Sequence, residues 1–282
     1  MLKMKKLFTL IVFSCLFVLV VAGCGSKKDE SKETNTKQGG AVEQIKKRGK
    51  LVVGVKNDTN LFGLKNPSTG QVEGFDVDVA KALAKKILGD EKKLELKEVT
   101  SKTRIPMLKN GDIDAIIATM TITEERKKEV DFSDVYFKAG QSLLVKKGSN
   151  IKSVDDIKSV DDIKQGVKVL AVKGSTSTNN IRQKSPEATV LEFENYSEAF
   201  TALKAGKGDV LTTDNAILYG MAKQDSNYEV VGKIFTDEPY GIAVQKGADD
   251  LTKEINTLIK DMKASGEYDK LYEKWIGQKP EK

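Results

Sequence analysis

From about residue 41 onward, short apolar strands alternate with amphipathic helices, and this alternation limits the possible folds more than any other feature. Residues 76–88 are predicted to form a helix because Val79, Leu83 and Ile87 recur at four-residue spacing, and Gly89 is expected to end it. A shorter helix is predicted at 103–110. The strands predicted around these helices are 51–55, 94–99 and 113–118. The alternation predicts an α/β fold with a largely parallel sheet.

The second half of the chain repeats this plan. Its predicted strands are 167–172, 189–194 and 210–213, and its first predicted helix is 176–183. Asn195 is expected to cap the next helix, and Glu198, three residues later, is expected to complete a capping box. The two halves are therefore predicted to be built in the same way.

One internal similarity supports this. Residues 108–119 resemble residues 203–214, because each segment has a helix end, a glycine, an aspartate and then a buried strand. Two copies of one unit predict two similar lobes. Ligands bind beyond the carboxyl ends of strands in open α/β sheets, so facing lobes would bring Thr119, Thr121, Thr213 and Asp214 into one cleft. Chance recurrence in a chain rich in lysine and aspartate is the alternative.

A second repeat is different in kind. The sequence SVDDIK occurs at 153–158 and again at 159–164. Insertions on a surface helix or loop cost little, so a duplication accepted there is expected to have no role in ligand binding.

The N-terminus has the order of a secretory signal. Lys3, Lys5 and Lys6 precede an apolar stretch at 7–21, and small residues lead to Cys24. We predict a lipoprotein signal peptide at 1–23. The alternative is a retained transmembrane helix, for which the apolar stretch is short.

Cys24 is the predicted site of lipidation. Because Cys15 leaves with the signal peptide, the mature chain has no second cysteine for an internal disulfide. A diacylglyceryl group on Cys24 would anchor the protein stably to the outer face of the cell membrane. Residues 24–40 have no large apolar side chain and are predicted to be a disordered linker.

Composition excludes several classes of function. There is no histidine, which rules out histidine-based triads and HExxH zinc sites. There is no GxGxxG or Walker A motif, and no cofactor or metal is predicted. The net charge of +6 is not organised into a basic stripe with aromatic residues, so nucleic acid is not an expected partner.

Arg126 is the strongest candidate for a ligand-binding residue. It follows an apolar run that ends in Thr119, Met120 and Thr121, so it lies just beyond a predicted strand end. The planar guanidinium donates two parallel hydrogen bonds to a carboxylate and stays charged at any working pH. The alternative for a lone arginine is a solvated basic turn.

Beyond the linker, the chain resembles the extracytoplasmic solute-binding proteins of ABC importers for polar amino acids, and most of all the glutamate/aspartate and glutamine binders. The segments that carry the resemblance are GVKND at 54–58, GFDVD at 74–78, residues 118–136, AVKG at 171–174, TD at 213–214, YGIA at 240–243 and YEKWIG at 272–277. The resemblance implies a two-lobed periplasmic-binding-protein-like fold of type II. Each lobe would be a mostly parallel sheet flanked by helices, and two strands would form the hinge. Lobe 1 would comprise 41–137 plus 239–282, and lobe 2 would comprise 138–238.

The resemblance places a free amino acid between the lobes. It implies that Arg126 binds the α-carboxylate with backbone amides at Ser175, Thr176 and Ser177, where a helix start favours an anion. It implies that Asp214 pairs with the α-ammonium. For Asp214 a helix N-cap is the alternative, and the two roles are compatible. The other residues that the resemblance places in the site are Thr119, Met120, Thr121 and Tyr240.

Selectivity is expected from Lys56 and Arg104. Because a buried cation without an anion is costly, these residues predict a carboxylate side chain, and thus glutamate or aspartate over glutamine. The alternative is that both are surface charges, and Asp58 is available to neutralise Lys56.

Cleft closure is the expected mechanism, with hinge crossings near 136–140 and 236–240. Contacts from both lobes exist only in the closed form, so the ligand would shift the population toward it. A permease would then recognise the closed form of this monomer. The alternatives are an exported enzyme of the same fold, of the dehydratase or cell-wall lyase type, and a ligand-binding sensor or adhesin.

Overall fold

The computed structural model describes residues 39–157 and 166–280, and the structural statements below refer to these residues. The predicted signal peptide, Cys24, nearly all of the predicted linker and the second SVDDIK copy lie outside them. Within the described ranges, no helix combines the length and apolar character needed to cross a membrane.

Helices and strands alternate along the described chain. The helices are α1 (Ala41–Arg48), α2 (Phe75–Leu88), α3 (Arg104–Lys109), α4 (Glu124–Lys127), α5 (Thr176–Lys184), α6 (Tyr196–Lys204), α7 (Asn215–Gln224), α8 (Asp249–Ser265) and α9 (Glu267–Ile276), with 3-10 turns at Glu91–Lys93 and Val154–Ile157. The strands are β1 (Leu51–Val55), β2 (Asp58–Thr59), β3 (Gly63–Lys65), β4 (Val72–Glu73), β5 (Leu94–Glu98), β6 (Ala115–Ile116), β7 (Val130–Phe132), β8 (Phe137–Ala139), β9 (Gln141–Lys146), β10 (Lys168–Val172), β11 (Thr189–Phe193), β12 (Val210–Asp214), β13 (Tyr228–Val231), β14 (Glu238–Tyr240) and β15 (Ala243–Gln245).

Two five-stranded sheets form two lobes. The sheet of the first lobe has the order β5-β1-β6-β15-β7, and the sheet of the second lobe has the order β11-β10-β12-β9-β13. In each sheet the first three strands run parallel and the last two are antiparallel to their neighbours. The predicted α/β fold with two lobes is confirmed. The sheets are mixed rather than mostly parallel, because β15 and β9 enter each sheet from the strands that join the lobes.

The internal repeat is visible in this topology. The strands of the two similar segments, β6 and β12, occupy the same central position in their sheets. The predicted strand at 113–118 is longer than β6, although the amides of Asp114 and Ile117 on either side still donate to β1 carbonyls. Thr119 then takes a left-handed conformation, with φ of 46°, which turns the chain away from the sheet.

A short antiparallel ribbon lies where the chain passes between the two sheets. In it β8 pairs with β14, and Phe137 lies opposite Tyr240. These strands coincide with the hinge crossings expected from the sequence. They support the lobe boundaries 41–137 plus 239–282 and 138–238, which we retain as a proposal.

Aromatic rings fill the core beside this ribbon. Phe75 is fully buried, stacks on Tyr136 and makes edge contacts with Phe62 and Phe137. Because Phe75 opens helix α2, these contacts fix the start of that helix against the ribbon. The following residue, Asp76, is thereby placed at the centre of the molecule.

The predicted helix ends are largely present. Gly89 ends α2 in the left-handed conformation that glycine adopts without cost. Asn195 caps α6 by accepting a hydrogen bond from the Glu198 amide at 2.9 Å. The Glu198 carboxylate accepts from the Glu194 amide, one residue before the position that a capping box predicts.

Candidate functional site

The carboxyl ends of the central strands of both lobes face a small polar cavity. Its walls carry hydroxyls, two guanidinium groups and one carboxylate. The lining residues are Ser101, Arg104, Thr119, Thr121, Arg126, Ser175, Thr176, Tyr196, Thr213 and Asp214. The structure thus brings together seven of the eleven predicted ligand-binding residues, and with them Thr213, which was also expected in the cleft. Lys56, Met120, Ser177 and Tyr240 do not line the cavity.

Arg126 spans the two lobes. It lies on α4, whose start is fixed by the Thr123 hydroxyl accepting from the Arg126 amide. One guanidinium nitrogen donates to the Thr121 carbonyl at 2.8 Å, and the other terminal nitrogen donates to the Gly174 carbonyl in the second lobe at 3.0 Å. Burial lowers the pKa of Arg126, whereas the nearby Glu238 and Asp214 oppose that shift. The guanidinium is held at the cavity wall, and its remaining N–H groups are available to donate to an anion.

Asp214 ends strand β12 in the second lobe. Its side chain makes no capping hydrogen bond to α7, so the alternative of a simple N-cap is not what the structure shows. Its carboxylate accepts instead from the Tyr240 hydroxyl at 2.5 Å. Burial, and then repulsion by Glu238, raises the pKa of Asp214 to about 7. A cation that entered the cavity would stabilise the ionised form of Asp214 and so lower its pKa.

The start of helix α5 supplies fewer free amides than predicted. The Ser175 amide already donates to the Val172 carbonyl at 3.1 Å, so it is not available to a ligand. Thr176 and Ser177 begin the helix, where amides have no partner within the helix itself. The predicted trio of amides at Ser175, Thr176 and Ser177 is therefore reduced to the last two. The Ser177 side chain is buried and shares a hydrogen bond with the Ser175 hydroxyl.

Arg104 is almost fully buried in the cavity wall. One of its terminal nitrogens donates to the Ala118 carbonyl at 2.7 Å and more weakly to the Thr119 carbonyl at 3.3 Å. Burial, and then the charge of Arg126, lowers the pKa of Arg104 to about 9. Within the described part of the chain, neither the Arg104 Nε nor the buried Thr119 hydroxyl has a hydrogen-bond partner. Unpaired buried polar groups are rare in native structures, so these two atoms mark positions where a ligand would bond.

Lys56 lies behind the cavity wall, where its ammonium contacts other groups of the protein. Its ammonium donates to the Ser101 hydroxyl at 2.9 Å and lies 5.2 Å from the centre of the Tyr196 ring. Burial, and then repulsion by Arg104, lowers the pKa of Lys56 to about 7. The structure therefore does not bring Lys56 into the cavity lining, where a ligand carboxylate would meet it.

Two other predicted site residues also lie outside the cavity lining. Met120 is fully buried in the apolar core of the first lobe. Tyr240 lies in the ribbon behind Asp214 and acts through its hydroxyl, which orients that carboxylate.

The sequence analysis missed Asp76. This carboxylate is fully buried and accepts from the Thr119 amide at 2.9 Å and from the Tyr136 hydroxyl at 2.8 Å. It thus holds the strained Thr119 in place. Burial raises the pKa of Asp76 to about 7. The available signal was an aspartate between two core residues, Phe75 and Val77.

Glu238, on the ribbon, was also missed. Its buried carboxylate accepts from Thr121 of the first lobe at 2.7 Å. It also accepts from three second-lobe side chains, Gln141, Thr176 and Asn180, at 2.8 to 3.0 Å. Glu238 therefore links Thr121, which orients Arg126, to Thr176, which begins α5.

Formal positive charge around the cavity does not exceed formal negative charge. There are three cations against four anions, Lys56, Arg104 and Arg126 against Asp58, Asp76, Asp214 and Glu238. A proton passing between Lys56 and Asp76 leaves this sum unchanged. A ligand with no net charge preserves the balance, whereas an additional negative charge in this buried space would be uncompensated.

The known proteins that this chain resembles agree on the family to which it is related. The sequence profile of the bacterial extracellular solute-binding proteins, family 3, matches residues 51–278. The chain is 65% identical to the ABC transporter glutamine-binding protein GlnH of Bacillus subtilis (strain 168), over 98% of this chain and 99% of that protein. It is also 65% identical to the glutamine-binding protein of Geobacillus stearothermophilus, over 89% of this chain and 96% of that protein. A solved structure of an ancestral arginine-binding protein bound to glutamine matches with a TM-score of 0.74 and 47% identity, over 82% of this chain and 99% of that one.

The buried Asp76 predicts a measurable pH effect on stability. Its pKa rises from 3.8 to about 7 on folding, so its contribution to stability is complete below about pH 4 and is lost as the pH rises toward 7. Asp76→Asn removes that titration. From pH 5 to 7 the unfolding free energy of the variant should fall less steeply than that of the wild type, by up to about 1.4 kcal/mol per pH unit.

Urea unfolding across this pH range measures both slopes. Asp112→Asn, at an exposed position of the same lobe, is the matched control and should follow the wild type. Equal slopes for Asp76→Asn and the wild type would contradict the assignment of the raised pKa to Asp76.

Proposed function

The chain belongs to the bacterial extracellular solute-binding proteins of family 3, and we propose that within this family it is the glutamine-binding component of an ABC importer. It is a transport binding protein rather than an enzyme. It acts outside the cytoplasm, where it binds an amino acid for an ABC transporter. The names of the two relatives described above support glutamine as that amino acid.

The observation that carries the proposal is the placement of Arg126 and Asp214 on opposite lobes of one buried cavity. An α-amino acid has one carboxylate and one ammonium on the same carbon. Arg126, with the Thr176 and Ser177 amides, binds the carboxylate, and Asp214 binds the ammonium. Charge-assisted hydrogen bonds of this kind contribute about 1.5–3 kcal/mol each.

The remaining unpaired groups fit an amide side chain. The Arg104 Nε–H donates to the amide oxygen of glutamine, and the Thr119 hydroxyl accepts from its NH2 group. An amide is also neutral, so it preserves the balance of buried charge around the cavity. Both arguments favour glutamine, and the expectation of glutamate or aspartate drawn from Lys56 and Arg104 is replaced.

Binding acts by closure of the lobes. The α-carboxylate bridges Arg126 and the start of α5, so its full set of hydrogen bonds exists only when the lobes meet. The ligand therefore shifts the population toward the closed form, which a permease recognises. Lipidation of Cys24 would hold this monomeric domain near that permease through the 24–40 linker.

Ligand selectivity tests the proposal directly. Isothermal titration of the wild type with glutamine, glutamate, aspartate and arginine should show glutamine binding at least about tenfold more tightly than the others, a difference of about 1.4 kcal/mol. The neutral amide satisfies Arg104 and Thr119 without adding buried charge. Tighter binding of glutamate or aspartate than of glutamine would contradict the proposal.

The two charged anchors are tested by substitution. Arg126→Ala and Asp214→Asn should each weaken glutamine binding by about 100-fold or more, because each leaves one charged end of the ligand buried without its partner. Calorimetry compares them with Lys128→Ala and Asp112→Asn, exposed controls that should bind like the wild type. If either anchor variant keeps wild-type affinity, that residue does not hold the ligand.

A further inference from the structure

The lobes also meet at a place that does not line the ligand cavity. Residues 58–60 of the first lobe, which we call the latch, contact the second-lobe helices α6 and α7 through Tyr196 and Gly220. These contacts involve the backbone of both helices, so they depend on how closely the lobes approach.

The first latch contact completes the start of α6. Asn195 caps this helix by accepting from the Glu198 amide, in the third position, and its side-chain amide donates to the Glu198 carboxylate. The Tyr196 amide, in the first position, donates instead to the Asp58 carboxylate across the cleft at 2.6 Å. An acidic group at a helix N-terminus is favoured by the unpaired amides and by the helix dipole.

The second latch contact requires a glycine. The Asn60 side-chain amide donates to the Gly220 carbonyl at 2.8 Å. A Cβ at position 220 would lie 2.9 Å from the Asn60 backbone oxygen and 3.2 Å from its Cβ. The close approach therefore exists only because helix α7 has no side chain at this position.

The latch is connected to the cavity through Tyr196. The amide of this residue binds Asp58, whereas its ring lines the cavity and lies beneath the Lys56 ammonium. Its hydroxyl accepts from Thr213 at 3.1 Å, beside Asp214. When the latch forms, Tyr196 is fixed against the ligand site.

We propose that residues 58–60 form a latch that exists only in the closed form and sets ligand affinity without touching the ligand. This inference rests on the proposed function, in which an amino acid is bound by closure. Latch contacts stabilise the closed form, and apparent affinity is proportional to the population of the binding-competent form. Asp58, Asn60 and Gly220 are therefore positioning residues for binding.

Gly220→Ala separates this role from a purely structural one. Alanine in the interior of α7 should raise the urea midpoint of the ligand-free protein, because alanine favours helix more than glycine does. The same Cβ meets Asn60 and opposes closure. We expect glutamine affinity to fall by about tenfold while the urea midpoint without ligand does not decrease.

Two further variants complete the experiment. Asn60→Ala removes the hydrogen bond without adding bulk and should also weaken glutamine binding, by a smaller factor. Tyr219→Ala, at the exposed neighbouring position of α7, is the matched control and should leave affinity unchanged. Small-angle scattering should show that Gly220→Ala needs more glutamine than the wild type to reach the same compaction.

Different experimental results would overturn the latch and the proposed function. Unchanged affinity in both Gly220→Ala and Asn60→Ala overturns the latch, as does a lower ligand-free stability of Gly220→Ala that accounts for the weaker binding. If a panel of the twenty amino acids shows that the wild type binds one other than glutamine, the glutamine assignment fails. The variants are then measured with that amino acid, and a loss of its affinity still supports the latch.

Discussion

The guanidinium of Arg126 is the group on which the rest of the site depends. It donates to a backbone carbonyl in each lobe, at Thr121 and at Gly174, and so it is oriented by both halves of the molecule. Two carbonyls do not use all five N–H donors, and they bring no compensating negative charge. Thr176 at the start of α5 and the carboxylate of Asp214 line the same cavity. Together these groups match the two charges of an amino-acid backbone, so in the proposed mechanism a zwitterion would stabilise the closed arrangement.

Buried charge around this centre decides what the ligand side chain can be. From the sequence, Lys56 and Arg104 were interpreted as unpaired cations, because their partners come from distant parts of the chain. In the folded protein the Lys56 ammonium lies between the Ser101 hydroxyl and the Tyr196 ring, with Asp58 and Asp76 nearby, and backbone carbonyls accept from Arg104. An added carboxylate would bring negative charge that these groups do not compensate. In the proposed binding mode a neutral amide meets the remaining Nε–H and hydroxyl.

The sequence predicted the features that local pattern determines. Hydrophobic spacing located α2 and most strands, and the similarity of residues 108–119 to 203–214 predicted two lobes with β6 and β12 in matching places. Arg126 and Asp214 were predicted from their places after predicted strand ends together with the resemblance to the amino-acid-binding family. Asp76, Tyr196 and Glu238 were missed because their roles arise from burial and from contacts between segments more than 40 residues apart. The same limitation led to the assignment of Lys56 to the ligand.

A crystal structure of the protein crystallised with glutamine is the most direct test of the proposed binding mode. We expect the α-carboxylate on Arg126 and on the Thr176 and Ser177 amides, and the α-ammonium on Asp214. We also expect the side-chain amide within hydrogen-bond distance of the Arg104 Nε and the Thr119 hydroxyl, with Lys56 still bonded to Ser101. Glutamine bound with its side-chain amide on Asp214, or outside this cavity, would contradict this binding mode.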